Sequence, residues 1–426
     1  MKIVVMTYPN YSHNTSIATL LNELVNQGNE VFCFGKSTFK SIYSYIDMEF
    51  IEYPSNIGSR FGNITEAYIN DKDKPSNDNL IENLIYKGIF NTDFALKVCT
   101  DYRDSIIDIV KAINPDLILR DSCALFGKMI GEKLGIDVIG YITNLAISKE
   151  YIFNDLQKNL SDAFCLDLSS YDDDTLKHLY LSLENGIKQL CDKYDISSIP
   201  TFFTLDPHEN FNIIFSSKLL QPKIENNNNL IYKVVSPSLF STKNKNIKPD
   251  SHTNCKKKLI YVSTGSIFSA DIKFYNTIIS SFKDSDYDVI ISFPLADNKA
   301  ISFTLPDNVK VEKFVDQKKI LSEASLFITH GGYNSIYESI YYEVPMMVYP
   351  LTNDQHLNAT IIDNLNIGVD LRKHKFNSSN VKHLADYMIN HKEILSRIAS
   401  IKEDFTDSIS QKEIVQYITN RNYKTR

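Results

Sequence analysis

Short apolar runs alternate with helical patterns in the first part of the chain. Residues 3–6 predict a buried strand, and apolar positions recur over residues 17–24 with the i, i+3, i+4, i+7 spacing of an amphipathic helix. A polar loop over residues 7–15 is expected between them, and Gly28 is expected to end the helix. Residues 31–34 form a second apolar run. This succession predicts a β-α-β unit, which requires a right-handed crossover within a parallel sheet.

The same alternation recurs further along the chain. Residues 116–120 and 138–142 predict strands on either side of a helix over residues 125–134, which Gly135 is expected to end. Further strands are predicted at residues 259–263, 289–293, 309–311, 326–329 and 346–349, and the tail from residue 381 to 423 is predicted to be helical.

A polar stretch separates the two series of strands. Residues 241–258 contain six lysines, one proline and a single aliphatic residue, which is typical of a linker. We therefore predict an N-terminal domain over residues 1–240 and a C-terminal domain over residues 259–426, whose final helix can cross back to the first. The predicted fold class is α/β, with two doubly wound domains facing a cleft. Such sheets bind ligands at the carboxyl ends of their strands.

Composition and charge exclude several kinds of protein. The chain has 426 residues, of which 43% are apolar and 23% charged, as is usual for a globular protein. Its formal net charge of −7 argues against a nucleic-acid polymer as partner, because that needs a basic face. No apolar run is long enough to span a membrane or to form a signal peptide. The six scattered cysteines favour a reducing compartment, so a cytoplasmic protein is expected.

A glycine-containing turn carries the first sign of chemistry. The strand at residues 326–329 runs into His330, Gly331 and Gly332, and a helix is expected to begin near Asn334. Glycines let backbone N–H groups approach a ligand closely, and a helix N-terminus favours an anion. His330, Asn334 and Ser335 add side-chain donors, so the segment is a candidate phosphate site. Taken alone, such a turn is usually only a tight turn.

Acidic and amide side chains follow this turn at regular positions. Glu338 comes one helical turn after Asn334, so it lies on the same face and could accept hydrogen bonds from two ribose hydroxyls. Asp354 and Gln355 follow the next predicted strand, and an acid beside an amide suits the vicinal hydroxyls of a sugar. An isolated pair of this kind is common by chance, and its spacing from His330 gives it weight.

This segment resembles the nucleotide-sugar signature of the UDP-glycosyltransferase superfamily, most closely its bacterial macrolide-glycosyltransferase-like branch. The matching residues are Gln317, His330, Gly331, Gly332, Asn334, Ser335, Glu338, Pro345, Pro350, Asp354, Gln355 and Asn358. Residues 215–222, 236–237 and 261–268 also look like family segments, so the resemblance spans nearly the whole chain. It implies the GT-B architecture, with an acceptor-binding N-terminal domain and a donor-binding C-terminal domain, both Rossmann-like.

The resemblance assigns the residues that contact the donor phosphates and sugar. It implies that His330 contacts the diphosphate, beside Gly332, Asn334 and Ser335, with Ser266 as a further phosphate contact. The family's ribose-binding carboxylate matches Glu338, and the acid and amide that bind the donor sugar match Asp354 and Gln355.

The nucleobase is expected against the segment before Gln317, where the resemblance places Phe314 and Val315. Plant members stack uracil on a Trp, but this chain contains none, and Phe314 offers a smaller ring at the matching position. The chain also has Asp316 where the family has Pro.

Glycosyl transfer with inversion needs a base for the acceptor hydroxyl, and a His oriented by a carboxylate is suited to that task. His13 and Asp121 are each predicted in loops that follow N-terminal strands, and they resemble the catalytic His and Asp of the family. The resemblance therefore implies that His13 is the base and Asp121 its orienting partner. The family usually has Gly and Pro where this chain has Ser12 and Ser16.

The implied activity is transfer of a hexose from a nucleotide sugar. UDP-glucose is favoured by Gln355, with a TDP sugar as the alternative. The acceptor is expected to be a lipophilic small molecule such as a macrolide, flavonoid or other polyphenol, bound by residues 57–94 and 147–207. The donor is a co-substrate, no other cofactor is expected, and no metal site is expected. The oligomeric state is not predicted.

Three other functions are compatible with the same fold. A nucleotide-sugar epimerase or a phosphorylase would share the two domains, but an epimerase would change the donor without an acceptor. A non-catalytic auxiliary protein would keep the fold but would commonly lose the base or the phosphate-binding residues. This chain retains His13, Asp121, His330 and Glu338, together with the Asp354-Gln355 pair, which favours a transferase.

Overall fold

The computed structural model describes residues 1–54, 64–69, 71, 75, 79–226, 230–241, 257–265, 270–294, 305–352 and 354–421. The chain divides into two compact units. Unit 1 comprises Met1–Leu160, Asp167–Ser238 and Asp407–Arg426, and unit 2 comprises Ser161–Leu166 and Leu239–Thr406. Within the described residues, no helix is long and apolar enough to cross a membrane.

Unit 1 contains a parallel sheet whose strands, in the described residues, lie in the order β3-β2-β1-β4-β5-β6-β7. The strands are β1 (Lys2–Met6), β2 (Glu30–Gly35), β3 (Glu49–Glu52), β4 (Leu117–Asp121), β5 (Asp137–Ile142), β6 (Phe211–Phe215) and β7 (Ile231–Val235). The strand order reverses between β1 and β4, and the carboxyl ends beside such a reversal form the ligand-binding crevice of doubly wound sheets.

Unit 2 contains a second parallel sheet, with the described strands in the order β10-β9-β8-β11-β12-β13. The strands are β8 (Lys258–Ser263), β9 (Tyr287–Ser292), β10 (Val309–Glu312), β11 (Ala324–Thr329), β12 (Met346–Val348) and β13 (Gly368–Asp370). The order reverses between β8 and β11, which pair directly. Both units therefore have the doubly wound α/β topology predicted from the sequence.

Helices connect the strands in both units. In chain order they are α1 (Tyr11–Asn26), α2 (Ile64–Ile69), α3 (Leu80–Ile113), α4 (Leu125–Leu134), α5 (Lys149–Asn154), α6 (Leu156–Phe164), α7 (Asp173–Tyr194), α8 (Ser238–Ser241), α9 (Ile272–Phe282), α10 (Gln317–Leu321), α11 (Tyr333–Tyr341), α12 (Gln355–Asn364), α13 (Ser378–Asn390), α14 (Lys392–Asp407) and α15 (Gln411–Thr419).

The sheet of unit 1 is buried on both faces. Successive side chains of a strand point to opposite faces, so Ile3 and Val5 join one apolar cluster with helices α1 and α15. Val4 and Met6 join a second cluster with helices α3, α4 and α7. Burial on both faces explains why these strands are continuous apolar runs rather than alternating patterns.

The C-terminal helix α15 completes unit 1. Val235 of β7 forms a parallel bridge with Ile409, and the side chain of Gln411 donates a hydrogen bond to the carbonyl of Ser236. The ring of Tyr417 stacks on Phe211 with centroids 5.2 Å apart. Helix α15 thus packs on the sheet to which β1 belongs.

The predicted polar loop over residues 7–15 is wrong beyond residue 10. Helix α1 begins at Tyr11, because the side chain of Asn10 caps it by accepting a hydrogen bond from the backbone N–H of Ser12. The first turn of α1 carries polar residues, so no apolar periodicity marks it. His13 therefore lies in the first turn of a helix and not in a loop.

Candidate active site

One candidate site is a histidine–aspartate pair in unit 1. Nδ1 of His13 lies 2.8 Å from Oδ2 of Asp121. Asp121 is fully buried, whereas the His13 side chain keeps 20% of its surface exposed. Asp121 is the last residue of β4, so its predicted place in the following loop is wrong by one position. Because β1 and β4 are neighbours, the end of β4 and the start of α1 meet at the reversal of the sheet.

Further hydrogen bonds hold this pair. The second carboxylate oxygen of Asp121 accepts from the backbone N–H of Cys123 at 2.9 Å. The hydroxyl of Thr143 lies 3.3 Å from Nδ1 of His13. Since Nδ1 is held by Asp121, Nε2 is the ring nitrogen that can exchange a proton with a substrate.

Tyr8 borders the pair and was not predicted as a site residue. Its ring centroid is 5.2 Å from that of His13. Burial raises the pKa of the Tyr8 hydroxyl, and the nearby Cys123 and Asp121 raise it further. Tyr8 therefore remains neutral beside His13. In the sequence, only the position of Tyr8 just after β1 indicates that it lies near His13.

A separate candidate site is the glycine turn of unit 2. Strand β11 ends at Thr329, and α11 begins at Tyr333 with Gly332 as its N-cap, so the predicted strand–turn–helix is confirmed. A Cβ atom on Gly265 or on Gly332 would lie 2.8 or 2.6 Å from Nε2 of His330. Both positions therefore need glycine for the imidazole to fit between them. Gly265 follows β8, the neighbour of β11, and was not predicted as a site residue.

His330 is neutral in this setting. Burial lowers the pKa of its imidazole to about 4, although the backbone of Ser263 acts in the opposite direction. Asn334 and Ser335 follow in the first turn of α11, where Asn334 is partly buried and Ser335 is buried. A neutral imidazole and the N–H groups of a helix N-terminus can each donate hydrogen bonds to a phosphate.

Glu338 belongs to a hydrogen-bonded group that the sequence spacing only partly indicated. The amide nitrogen of Gln317 donates to a carboxylate oxygen of Glu338 at 2.7 Å and to the Ser335 hydroxyl at 3.4 Å. The hydroxyl of Tyr261, on β8, donates to the amide oxygen of Gln317 at 3.3 Å. Burial raises the pKa of Glu338, and the Gln317 hydrogen bond partly offsets this effect.

The acid–amide pair lies at the start of α12. Asp354 is the N-cap of α12 and Gln355 its first residue. The amide oxygen of Gln355 accepts from the backbone N–H groups of Leu351 and Thr352 at 2.9 and 3.1 Å. Gln355 therefore shapes the loop after β12 in addition to any contact with a ligand.

Asn358 links this pair to the glycine turn. Its amide nitrogen donates to the carbonyl of Gly331 at 2.9 Å and to the carboxylate of Asp354 at 3.1 Å. The sequence motif contained Asn358 but assigned it no role. It holds the turn and the acid in a fixed relation.

The remaining residues that were predicted to bind the donor differ in how exposed they are. Phe314 is 66% exposed, and the ammonium group of Lys313 lies 5.9 Å from its ring centroid. Val315 is partly buried. The side chain of Asp316 caps α10 by accepting from the N–H of Lys319, which explains an Asp at a position where the family has Pro. Ser266 lies outside the described residues.

A cavity of about 280 Å³ lies in unit 1, and only part of its lining belongs to residues 147–207, which were predicted to bind the acceptor. Its lining includes Ile152, Tyr180, Phe202 and Tyr232. Neither His13 nor Asp121 lines it, so it does not identify the acceptor site. In the described part of the chain, no group of three or more His, Cys, Asp or Glu could hold a metal ion.

The chain is similar to known glycosyltransferases. The family described as "UDP-glucoronosyl and UDP-glucosyl transferase" matches residues 243–406. An uncharacterized UDP-glucosyltransferase, YojK of Bacillus subtilis (strain 168), is 24% identical over 399 residues, which are 94% of this chain and 92% of that protein. The NDP-glycosyltransferase YjiC of the same organism is 28% identical over 306 residues, 71% of each chain.

Among solved structures, the glycotransferase of kitacinnamycin superposes with a TM-score of 0.73 at 18% identity, covering 99% of this chain and 98% of that one. The two doubly wound units and the nucleotide-sugar motif define a GT-B glycosyltransferase. The chain is thus similar to a bacterial UDP-glucosyltransferase over nearly its whole length, and to the UDP-glucoronosyl and UDP-glucosyl transferase family over residues 243–406.

Proposed function

We propose that this glycosyltransferase is an inverting enzyme that transfers glucose from UDP-glucose to a hydroxyl of a lipophilic small molecule. The observation that carries the proposal is the 2.8 Å contact between His13 and Asp121 at the strand reversal of unit 1. A second set of residues with the family's donor signature lies at the strand reversal of unit 2.

In this proposal His13 is the general base. Nε2 of His13 takes the proton of the acceptor hydroxyl while the acceptor oxygen attacks the anomeric carbon of the sugar. Asp121 holds Nδ1–H and stabilises the imidazolium that forms. The bond to the diphosphate breaks with its electron pair on the leaving oxygen. A single displacement of this kind inverts the anomeric centre.

The donor is held through its phosphates, ribose and sugar. The N–H groups at the start of α11 and the neutral His330 donate hydrogen bonds to the diphosphate. These local donors stabilise the anionic diphosphate although the chain as a whole is acidic. Glu338 accepts from the ribose hydroxyls, and Gln317, which already donates to it, keeps the carboxylate oriented. Asp354 and Gln355 bind the hexose hydroxyls, and Phe314 with Val315 contacts the base.

Glucose and uridine are proposed from the donor motif and from the names of relatives. YojK is described as a UDP-glucosyltransferase, whereas the name of YjiC leaves the nucleotide open. A TDP sugar is the alternative donor. In the proposed reaction the nucleotide sugar is a co-substrate, and no resident cofactor or metal takes part.

The lipophilic acceptor is proposed from the aromatic surface near the base. Tyr11, two residues before His13 in α1, is 64% exposed, and its ring meets Phe39 edge-on at 6.3 Å. Exposed aromatic rings of this kind can contact a planar or lipophilic acceptor. The structural relative named for kitacinnamycin is consistent with a natural-product acceptor.

A donor-by-acceptor screen read by mass spectrometry tests the function. UDP-glucose with a polyphenol or macrolide should give a product heavier by one hexose, and TDP-glucose should be used less. UDP-glucose incubated alone should stay unchanged. A changed sugar in that sample would indicate an epimerase, and no transfer to any acceptor would contradict the proposal.

A further inference from the structure

Arg120 occupies an unusual position directly before the proposed catalytic aspartate. Its side chain is fully buried in β4. Because side chains alternate along a strand, Arg120 points to the face of the sheet opposite to that of Asp121, toward α4. A Cβ atom on Gly127 of α4 would lie 2.9 Å from Cβ of Arg120, so the glycine makes room for the arginine stem.

The guanidinium group binds the backbone that carries the aspartate. Its Nη1 donates to the carbonyl of Asp121 at 3.0 Å and to the carbonyl of Ser122 at 3.1 Å. Its Nη2 donates to the carbonyl of Pro207. One planar guanidinium group thus binds three backbone carbonyls. Two of these carbonyls belong to Asp121, whose carboxylate contacts His13, and to the residue that follows it.

A buried acid compensates the charge of this arginine. Nε of Arg120 donates to Oε1 of Glu209 at 2.6 Å, and the other oxygen of Glu209 accepts from Lys128 at 3.2 Å. Gly140 leaves space for this segment, since a Cβ atom there would lie 2.5 Å from Pro207. A buried ion pair seldom makes a protein more stable than well-packed apolar residues in its place would. Stability therefore does not explain the directional hydrogen bonds of this arginine.

We propose that Arg120, held by Glu209, is a positioning residue for glycosyl transfer. It fixes the backbone at Asp121 and Ser122 from the far side of the sheet, so that the carboxylate stays aligned with Nδ1 of His13. This inference rests on the proposed function, in which the His13–Asp121 pair is the base. A lysine at this position would keep the charge but could not reach the same carbonyls together.

The test compares Arg120→Lys with Lys128→Met. We expect Arg120→Lys to lower kcat by about 10- to 100-fold and to leave KM for UDP-glucose unchanged. Lys128→Met removes the other side chain that donates to Glu209 but leaves the hydrogen bonds from Arg120 to the carbonyls of Asp121 and Ser122. The kcat of this variant should therefore remain near that of the wild type. An equal loss in both variants, or a loss that appears in KM for the donor, would overturn the proposal.

A double-mutant cycle separates positioning from a general loss of structure. If Arg120 acts through Asp121, Arg120→Lys should cause no further loss of kcat in the Asp121→Asn background. An undiminished further loss would contradict the proposal. If Arg120→Lys does not fold, as shown by circular dichroism, Glu209→Gln is measured in the same two backgrounds with the same expectation. Full activity of Asp121→Asn alone would instead refute the underlying function.

Discussion

Nδ1 of His13 and Oδ2 of Asp121 lie 2.8 Å apart, although 108 positions separate the two residues in the chain. The contact exists because β1 and β4 are neighbours in the sheet and α1 begins soon after β1. One residue brings a partly exposed imidazole and the other a fully buried carboxylate. This is the geometry of a histidine base whose tautomer is fixed by a carboxylate that accepts a hydrogen bond from Nδ1.

The first prediction concerns the acid of this pair. Asp121→Asn should lower kcat by about 10²- to 10⁴-fold, because an amide can donate to Nδ1 and so place the proton on Nε2. Donor affinity should not change. The exposed Asp108, on α3 of the same unit, gives the control variant Asp108→Asn. Equal kcat values for the two variants would refute the orienting role of Asp121.

The second prediction concerns Glu338. Glu338→Gln should weaken UDP-glucose binding by about 10- to 100-fold, the usual effect of losing hydrogen bonds to a charged group. Because burial raises the pKa of Glu338, wild-type affinity should fall on acidification before the pH reaches the ordinary range of glutamate. The variant should lack that dependence.

Titration calorimetry across pH measures both effects. Glu343→Gln is the matched control, since Glu343 is exposed in the same unit and pairs with Lys402. Unchanged affinity of the Glu338→Gln variant would contradict the ribose-binding role.

The third prediction concerns the charge of His330. Its pKa of about 4 means that the imidazole is neutral in the free enzyme above that pH. A bound diphosphate favours the imidazolium and should raise this pKa, so donor binding near pH 5 should take up a proton. NMR titration of histidine-labelled protein, with His330→Gln to assign the signal, measures the change. A pKa at the ordinary value in the free enzyme would contradict the buried setting of His330.

The fourth prediction concerns metal ions. Backbone N–H groups and His330 are proposed to neutralise the leaving diphosphate, so transfer should proceed at the same rate in EDTA. The rate is measured on protein dialysed against the chelator, with and without added magnesium. Activity that disappears in EDTA and returns with magnesium would contradict this part of the mechanism.

Much of the fold was predictable from local pattern. Strands buried on both faces are continuous apolar runs, and each strand predicted from such a run is present within two residues of its expected ends. Strands β3, β6, β7 and β13 were not predicted. β3 has only two apolar residues, which lie between two glutamates, and β13 has only three residues, so neither forms an apolar run of the usual length.

The donor motif was also readable, because its residues lie close together in sequence around one turn and one helix. The structure brings Gln317, Ser335 and Glu338 into one hydrogen-bonded group. The roles of the predicted donor residues stay predictions until a ligand is bound.

Contacts between distant segments could not be predicted. The hydrogen bond from Arg120 to Glu209 joins residues that are 89 positions apart in the chain, and the sequence shows only an arginine inside an apolar run. Likewise, the link from Asn358 to Gly331 depends on how β11 and α12 meet. Such contacts depend on the order of the strands in the sheet, which cannot be predicted from the pattern of a single sequence.

The turnover rate of His13→Ala tests the central claim most directly. We predict that kcat falls by about 10²- to 10⁴-fold while titration calorimetry shows unchanged UDP-glucose affinity, because the base and the donor residues lie in different units. His178→Ala, an exposed histidine of unit 1, should keep wild-type turnover. Wild-type kcat in His13→Ala would contradict the assignment of His13 as the catalytic base.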